Sequence, residues 1–285
     1  MILFLGRGGE WGKVVGRIWL LFRRAWHNPI FRGGLRTFAQ QPTHRSYSLN
    51  YVATLSAVLL ITWPKEGFLN LRDLPFTYNA LGGTTLIILA YLNVSQGAHR
   101  FLGSRYLSLH DWLLLAPVKA GTFLRGYLAA SCLELLLFWG LSLPLLVLAA
   151  RVSGESLAHL GIGILLILVC VGSYRVVGVA LLTLFERDEF LLYILVRLLY
   201  VFFILGSGFV VPLYNPVLAF ADASIWPRRL GTLALPGLTV RGWAATLVLH
   251  LLLAGGFFII ALIRVHWVQR RGAAPEIREE GLGHD

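Results

Sequence analysis

Three side chains that are charged at neutral pH fall deep inside long apolar runs of the sequence, and they are the residues with the greatest capacity for chemistry. Glu134, Arg175 and Arg197 each stand among aliphatic and aromatic neighbours. A charged group inside a membrane is costly unless it is paired or hydrated, so these side chains are expected to face the interior of a helix bundle. They could form a structural ion pair, line a translocation path, or act on a lipid substrate.

The depth of the three residues separates them into two groups. Counting about 1.5 Å per residue along each apolar run places Glu134 and Arg175 at a similar depth, near the middle of the membrane. These two side chains are therefore candidates to pair, although spacing alone leaves the pairing open. Arg197 lies nearer the end of its run, where a long side chain can reach the interface.

The composition indicates an integral membrane protein. Of the 285 residues, 57% are hydrophobic and only 14% are charged, and the mean hydropathy is +0.71. The formal net charge of +11 is distributed between apolar runs, so the expected counterpart is an anionic lipid surface and not a nucleic acid. Cys132 and Cys170 both lie within apolar runs and support neither a disulfide framework nor a metal site.

Six apolar runs approach the roughly 20 residues that a helix needs to cross the hydrocarbon. We place these spans at about 49–63, 79–98, 121–149, 157–185, 190–211 and 243–263. Several prolines interrupt the stretch before the sixth span, which therefore cannot be one continuous helix. They are Pro212, Pro216, Pro227 and Pro236. The predicted fold class is an all-α polytopic membrane protein with six transmembrane helices.

The N-terminal segment predicts a helix that lies in the membrane interface. The run from Lys13 to Trp26 places its basic residues on one side and most of its aliphatic residues and tryptophans on the other. The predicted organisation is an interfacial segment over 1–46, a six-span domain over 47–267 and a charged tail over 268–285, within a solvated stretch that starts at Arg264. Basic residues near the span ends favour cytosolic N and C termini.

The polar loop from His99 to Lys119 predicts a short surface helix between the second and third spans. Ser108 and Asp111 have the spacing of a capping box, in which both side chains satisfy free backbone N–H groups at a helix start. Pro117 ends the helix about two turns later. A short cytosolic rod, Leu109 to Ala116, is expected between two membrane-anchored ends.

Sequence motifs for catalysis or nucleotide binding are not supported. The N-terminal run GRGGEWGK resembles a phosphate-binding loop, but Arg7 stands where the motif needs Gly, and Val14 where it needs Ser or Thr. The eight histidines show no metal-ligand spacing, and no Ser-His-Asp arrangement emerges from the sequence order. We expect no catalytic residue, no metal and no cofactor in this chain.

These features together resemble the membrane subunits of ABC exporters of the type-2 permease family. The shared features are an interfacial basic helix, six spans with both ends inside, a surface helix after the second span and a broken outer segment. DWLLLAPVKAGTFLRGYLAA, Asp111 to Ala130, is similar to that family's surface helix leading into a long span. VPLYNPVLAF, Val211 to Phe220, is similar to its outer Asn-Pro stretch. The run RYLSLHD departs from the acidic, Gly-Thr sequence that often precedes the family's surface helix.

The resemblance implies a transmembrane subunit of an ATP-driven exporter in a bacterial inner membrane. A separate cytosolic ATPase would bind ATP and Mg²⁺, and a second permease subunit, identical or different, would complete the path. The loop residues that would dock on the ATPase are Arg105, His110, Asp111, Trp112 and Lys119. The substrate stays open.

Two other classes of function remain as alternatives. A membrane-embedded enzyme that modifies lipids would use the intramembrane Glu134 and Arg175. A non-catalytic membrane scaffold would use neither these residues nor the loop.

Overall fold

The computed structural model describes residues 26–40, 43–64, 76–98, 119–185, 188–224, 232–235 and 238–272. The predicted interfacial helix and the predicted surface helix fall almost entirely outside these ranges. The first helices are α1 (Pro29–Gln40), α2 (Thr43–Ile61), α3 (Phe76–Ala98), α4 (Ala120–Val152) and α5 (Leu157–Phe185). Then follow α6 (Glu189–Val201), a π-helical turn (Phe202–Gly206), α7 (Ser207–Val210), a 3-10 turn (Pro212–Tyr214) and α8 (Pro216–Ala223). A hairpin of β1 (Thr232–Leu235) and β2 (Leu238–Arg241) leads into α9 (Gly242–Gly272).

The chain is an integral membrane protein built mainly of α-helices. Within the described ranges, four helical stretches are long and apolar enough to cross a membrane: Ala120–Val152, Leu157–Phe185, Phe190–Val210 and Gly242–Arg270. Many of their large aliphatic side chains are exposed, which suits a surface in contact with lipid.

The bundle is organised around α5, which contacts α3, α4, α6, α8 and α9. Its central residues, including Leu166, Ile167 and Cys170, are fully buried. Helix α3 is less apolar than the four long helices because it carries Thr85 and Asn93 inside the bundle. Protein surrounds α3 on several sides, since it packs against α2, α4, α5, α6 and α8. Polar residues are tolerated there because they are shielded from lipid.

Side-chain hydrogen bonds fix which helix ends meet at one end of the bundle. The hydroxyl of Thr77 in α3 donates to the carbonyl of Thr62 after α2, at 2.6 Å. The backbone N–H of Tyr78 donates to Oγ of Ser153 after α4, at 3.1 Å, and the Tyr78 hydroxyl donates to the carbonyl of His159 in α5, at 3.4 Å. The end of α2, the start of α3, the end of α4 and the start of α5 therefore lie together.

A second set of contacts gathers helix ends at the other end of the bundle. The backbone N–H of Ala120, in the first turn of α4, donates to Oε1 of Gln269 in α9, at 3.0 Å. Nδ2 of Asn28 beside α1 donates to the carbonyl of Thr122, at 2.9 Å. We call this the basic end, because exposed or half-buried cations cluster there: Arg32, Lys119, Arg125, Arg264 and Arg270.

The last helix is longer than predicted. The sequence placed a solvated tail from Arg264 onward, but α9 continues to Gly272. Val265 and Val268 are buried against the bundle, and Nε of Arg264 donates to the carbonyl of Thr183 at 3.4 Å. These contacts keep the final turns helical although the local sequence is charged.

Two features of the fold were not predicted. The span expected to run unbroken over 190–211 contains the π-helical turn Phe202–Gly206. The expected all-α fold also includes the antiparallel hairpin, in which Leu235 pairs with Leu238. The dipeptide Pro236-Gly237 between the two strands was the available sequence signal. The proline-interrupted segment is broken into short helical pieces, as expected.

Close packing of α5 against α3 and α8 yields a stability prediction. A Cβ added at Gly163 would collide with the Tyr78 hydroxyl and lie 2.8 Å from Cε2 of Phe220, whereas Gly161 on the same helix has open space. Overpacking costs about 1–3 kcal/mol, while a helical Gly-to-Ala change otherwise gains about 1 kcal/mol. We expect Gly163→Ala to lower the melting temperature in detergent and Gly161→Ala to maintain or raise it. Equal shifts in the two variants would contradict this packing.

Candidate functional site within the membrane domain

A buried ion pair joins α4 to α5. Nη2 of Arg175 donates to Oε2 of Glu134 at 2.5 Å and to the backbone carbonyl of Ser131 at 3.0 Å. Ser131 and Glu134 are three residues apart and therefore share one face of α4. Arg175 is 1% exposed and Glu134 is 3% exposed, so both charges are removed from lipid. The structure thus brings together the two residues whose depths match in the sequence.

The guanidinium of Arg175 keeps donors that these contacts do not use. Its Nε and Nη1 are buried without a hydrogen-bond acceptor in the described part of the chain. A buried polar group left without a partner costs about 1–3 kcal/mol, so the pair does not maximise stability. The pair nevertheless opposes sliding of α4 along α5, because sliding either helix would separate the charges and leave each of them buried without its partner.

Arg197 lies apart from this pair. Its Cζ sits 3.0 Å from the centroid of the Tyr193 ring, one turn earlier on α6. Its Nη1 donates to the Tyr193 carbonyl at 3.4 Å. The three intramembrane charges predicted from sequence therefore divide into one buried pair and one half-buried cation on the surface of the bundle.

A second buried polar cluster, which sequence reasoning missed, joins α5 to α9. The Tyr174 hydroxyl lies 2.9 Å from Nε2 of His250, and Nδ1 of His250 lies 2.9 Å from the carbonyl of Thr246. A carbonyl can only accept, so Nδ1 carries the proton and Nε2 accepts from the tyrosine hydroxyl. The Ser173 hydroxyl donates to the His250 carbonyl at 2.8 Å. The sequence signal was a histidine within an apolar run, which a search for ligand spacings overlooks.

The broken segment after α6 is held by Asn215. A π-helical turn displaces backbone carbonyls from their usual partners, and Nδ2 of Asn215 donates to one of them, that of Ile204, at 2.7 Å. Oδ1 of Asn215 accepts from the backbone N–H groups of Val217 and Leu218, at 3.0 and 2.9 Å, and so caps α8. The Asn215 side chain therefore forms hydrogen bonds both with the π-helical turn before the break and with the first turn of α8 after it.

The broken segment is also tied to α9 and through it to α5. The Thr246 hydroxyl donates to the carbonyl of Leu213 in the 3-10 turn, at 2.7 Å. Since Thr246 also accepts from His250, a continuous polar chain runs from Tyr174 to the 3-10 turn. Within the described residues, no group of three His, Cys, Asp or Glu side chains could hold a metal ion. The hydrogen bonds of this polar chain can hold α5, α9 and the broken segment in a defined relative position.

Of the five loop residues predicted to contact an ATPase, the structure describes Lys119 alone. Its side chain is exposed, and its carbonyl accepts from the N–H groups of Thr122 and Phe123, at 2.9 and 3.0 Å, at the start of α4. Arg105, His110, Asp111 and Trp112 lie outside the described residues. Their role therefore stays a prediction.

No protein-family model matches this chain, and no curated protein matches it.

The ion pair yields a prediction about coupled substitutions. Removing one partner of a buried pair leaves an uncompensated charge and costs about 3–5 kcal/mol, whereas replacing both with apolar groups is often nearly neutral. We expect Glu134→Leu or Arg175→Met alone to lower the melting temperature strongly, and the double variant to recover most of that loss. If the melting temperature of the double variant falls by the sum of the two single decreases, the two charges do not interact.

Proposed function

We propose that this chain is the transmembrane subunit of an ATP-driven ABC exporter of the type-2 permease kind. The observation that carries the proposal is the position of the two helix ends that flank residues 99–118. Helix α3 starts away from the basic end and is 23 residues long, or about 35 Å at 1.5 Å per residue. Helix α4 starts at the basic end. The intervening loop therefore connects two helix ends on the same side of the bundle.

In this proposal α2 and α3 complete a set of six spans with the four long apolar helices. Helix α2 contributes the shorter apolar helix Ser46–Ile61. Clustered basic residues favour the cytosolic side, so the basic end faces the cytosol of a bacterial inner membrane. The N and C termini and the loop 99–119 then share that side, and the broken segment lies toward the outside.

The contacts of α4 support a mechanical role for the loop. The first turn of α4 is bonded to Asn28 beside α1 and to Gln269 of α9. A Cβ at Gly126 would lie 2.6 Å from Asn28 side-chain atoms, so only a glycine permits this close approach without a shift. A push on the loop would move α4 together with α1 and α9, as a rigid-body transition requires. The Glu134 and Arg175 pair would then carry the movement to α5.

The partners follow from this arrangement. A cytosolic ABC ATPase would hold ATP and Mg²⁺ and would receive the loop through Arg105, His110, Asp111, Trp112 and Lys119. A second permease subunit, identical or different, would complete the translocation path. The chain itself would supply no catalytic residue, and membrane lipids would surround its exposed apolar faces.

The test is ATP hydrolysis by the partner subunit in the presence of this chain. The chain and the ATPase with which it purifies are reconstituted in proteoliposomes, and turnover is compared with that of the ATPase alone. We expect the double substitution Asp111→Ala and Trp112→Ala to reduce the stimulation at least about tenfold, since loss of a central contact residue costs about 2 kcal/mol or more. Arg151→Ala, at the other end of the bundle, is the control and should keep full stimulation.

Contrary outcomes point to the other classes of function. Unchanged association with the ATPase after Leu113→Pro would contradict the proposal. Conversion of lipids by the purified chain alone, lost in Glu134→Gln, would indicate a membrane enzyme. Absence of any ATP-linked effect, with tolerance of substitutions at both sites, would indicate a scaffold.

A further inference from the structure

The outward face of α6 presents a cation among exposed apolar residues. Phe190, Tyr193 and Leu198 are 74%, 53% and 60% exposed, as suits a lipid-facing surface. Arg197 is half-buried on the same helix, and its guanidinium stacks on the Tyr193 ring at 3.0 Å. A charge that borders the acyl chains is stabilised only if it finds a counter-charge or water.

The protein provides Arg197 with little polar compensation. Its hydrogen bond to the Tyr193 carbonyl is long, at 3.4 Å. No carboxylate whose side chain the structure describes forms an ion pair with it, in contrast to Arg175, which is bonded to Glu134. The tyrosine ring covers one face of the guanidinium and leaves its N–H donors available at the edge.

The position of Arg197 along α6 allows its guanidinium to reach toward the basic end of the bundle. Helix α6 starts at the basic end, directly after α5 ends at Phe185, and Arg197 lies eight residues beyond Glu189, about 12 Å along the axis. Helical side chains lean toward the N-terminus of their helix. The stacking on Tyr193 confirms this direction, which returns the charge about one turn toward the basic end.

We propose that Arg197 and Tyr193 form a binding site for the phosphate group of an anionic phospholipid. A guanidinium matches a phosphate through two parallel N–H donors, and its planar fork is held in place here by the aromatic ring. The exposed apolar residues beside it would contact the acyl chain. The site does not depend on the transporter proposal, since it requires only that α6 faces lipid.

The test measures lipid binding to the purified full-length chain in detergent. Phosphatidylglycerol, phosphatidylcholine and inorganic phosphate are titrated separately, with native mass spectrometry and melting temperature as the readouts. We expect phosphatidylglycerol to bind Arg197→Gln about fivefold more weakly than wild type, as loss of one basic contact to an anionic lipid predicts. Arg197→Lys keeps the charge but loses the paired donors. Its affinity for phosphatidylglycerol should therefore lie between those of wild type and Arg197→Gln. Arg151→Gln removes a charge at the other end and should bind as wild type does.

Three results would overturn the site. Equal binding of phosphatidylglycerol to wild type and Arg197→Gln would remove the role of the guanidinium. Equal binding of both lipids to wild type would show that the site does not select an anionic headgroup, because phosphatidylcholine carries a phosphate but no net charge. The same stabilisation by inorganic phosphate would identify a free anion in place of a lipid. If Arg197→Gln does not fold, the same titrations are made with Arg197→Lys and Tyr193→Leu. Wild-type affinity for phosphatidylglycerol in both variants would contradict the proposal.

Discussion

The structure depends on one constraint, which is that polar groups inside the hydrocarbon are costly unless they are bonded within the protein. Arg175, His250 and Asn215 are all buried, and each is bonded to a helix or segment distant in the sequence. Their contacts connect α5 to α4, α5 to α9, and the π-helical turn to α8. Because each contact has a specific geometry, sliding one helix along another would break these bonds.

The same kind of contact decides which helix ends meet. Hydrogen bonds of Tyr78 join helix ends at one end of the bundle, and hydrogen bonds of Asn28 and Gln269 join helix ends at the basic end. The first turn of α4 thereby joins the loop before it to both α1 and α9. A force applied to that loop has a direct route into the bundle, which is the physical basis of the proposed transporter function.

The sequence predicted the four long apolar helices of the described residues because length and hydropathy are strong signals in a membrane protein. Counting depth along the spans also made Glu134 and Arg175 candidates to pair, and the structure shows them bonded to each other. The sequence did not reveal the π-helical turn, which is bonded to Asn215, 11 residues after Ile204. Nor did it reveal the bond between Tyr174 and His250, which are 76 residues apart. The extra turns of α9 were missed for the same reason, since Val265 and Val268 are stabilised by the bundle and not by local sequence.

Cysteine accessibility in oriented membrane vesicles tests most directly that the loop and the basic end share the cytosolic side. Single cysteines at Ser108 and Ser156, in a background with Cys132→Ala and Cys170→Ala, are exposed to a reagent that does not cross the membrane. We predict that Ser108→Cys reacts from the cytosolic face alone and Ser156→Cys from the outer face alone. Reaction of both positions from the same face, or of Ser108→Cys from outside, would contradict it.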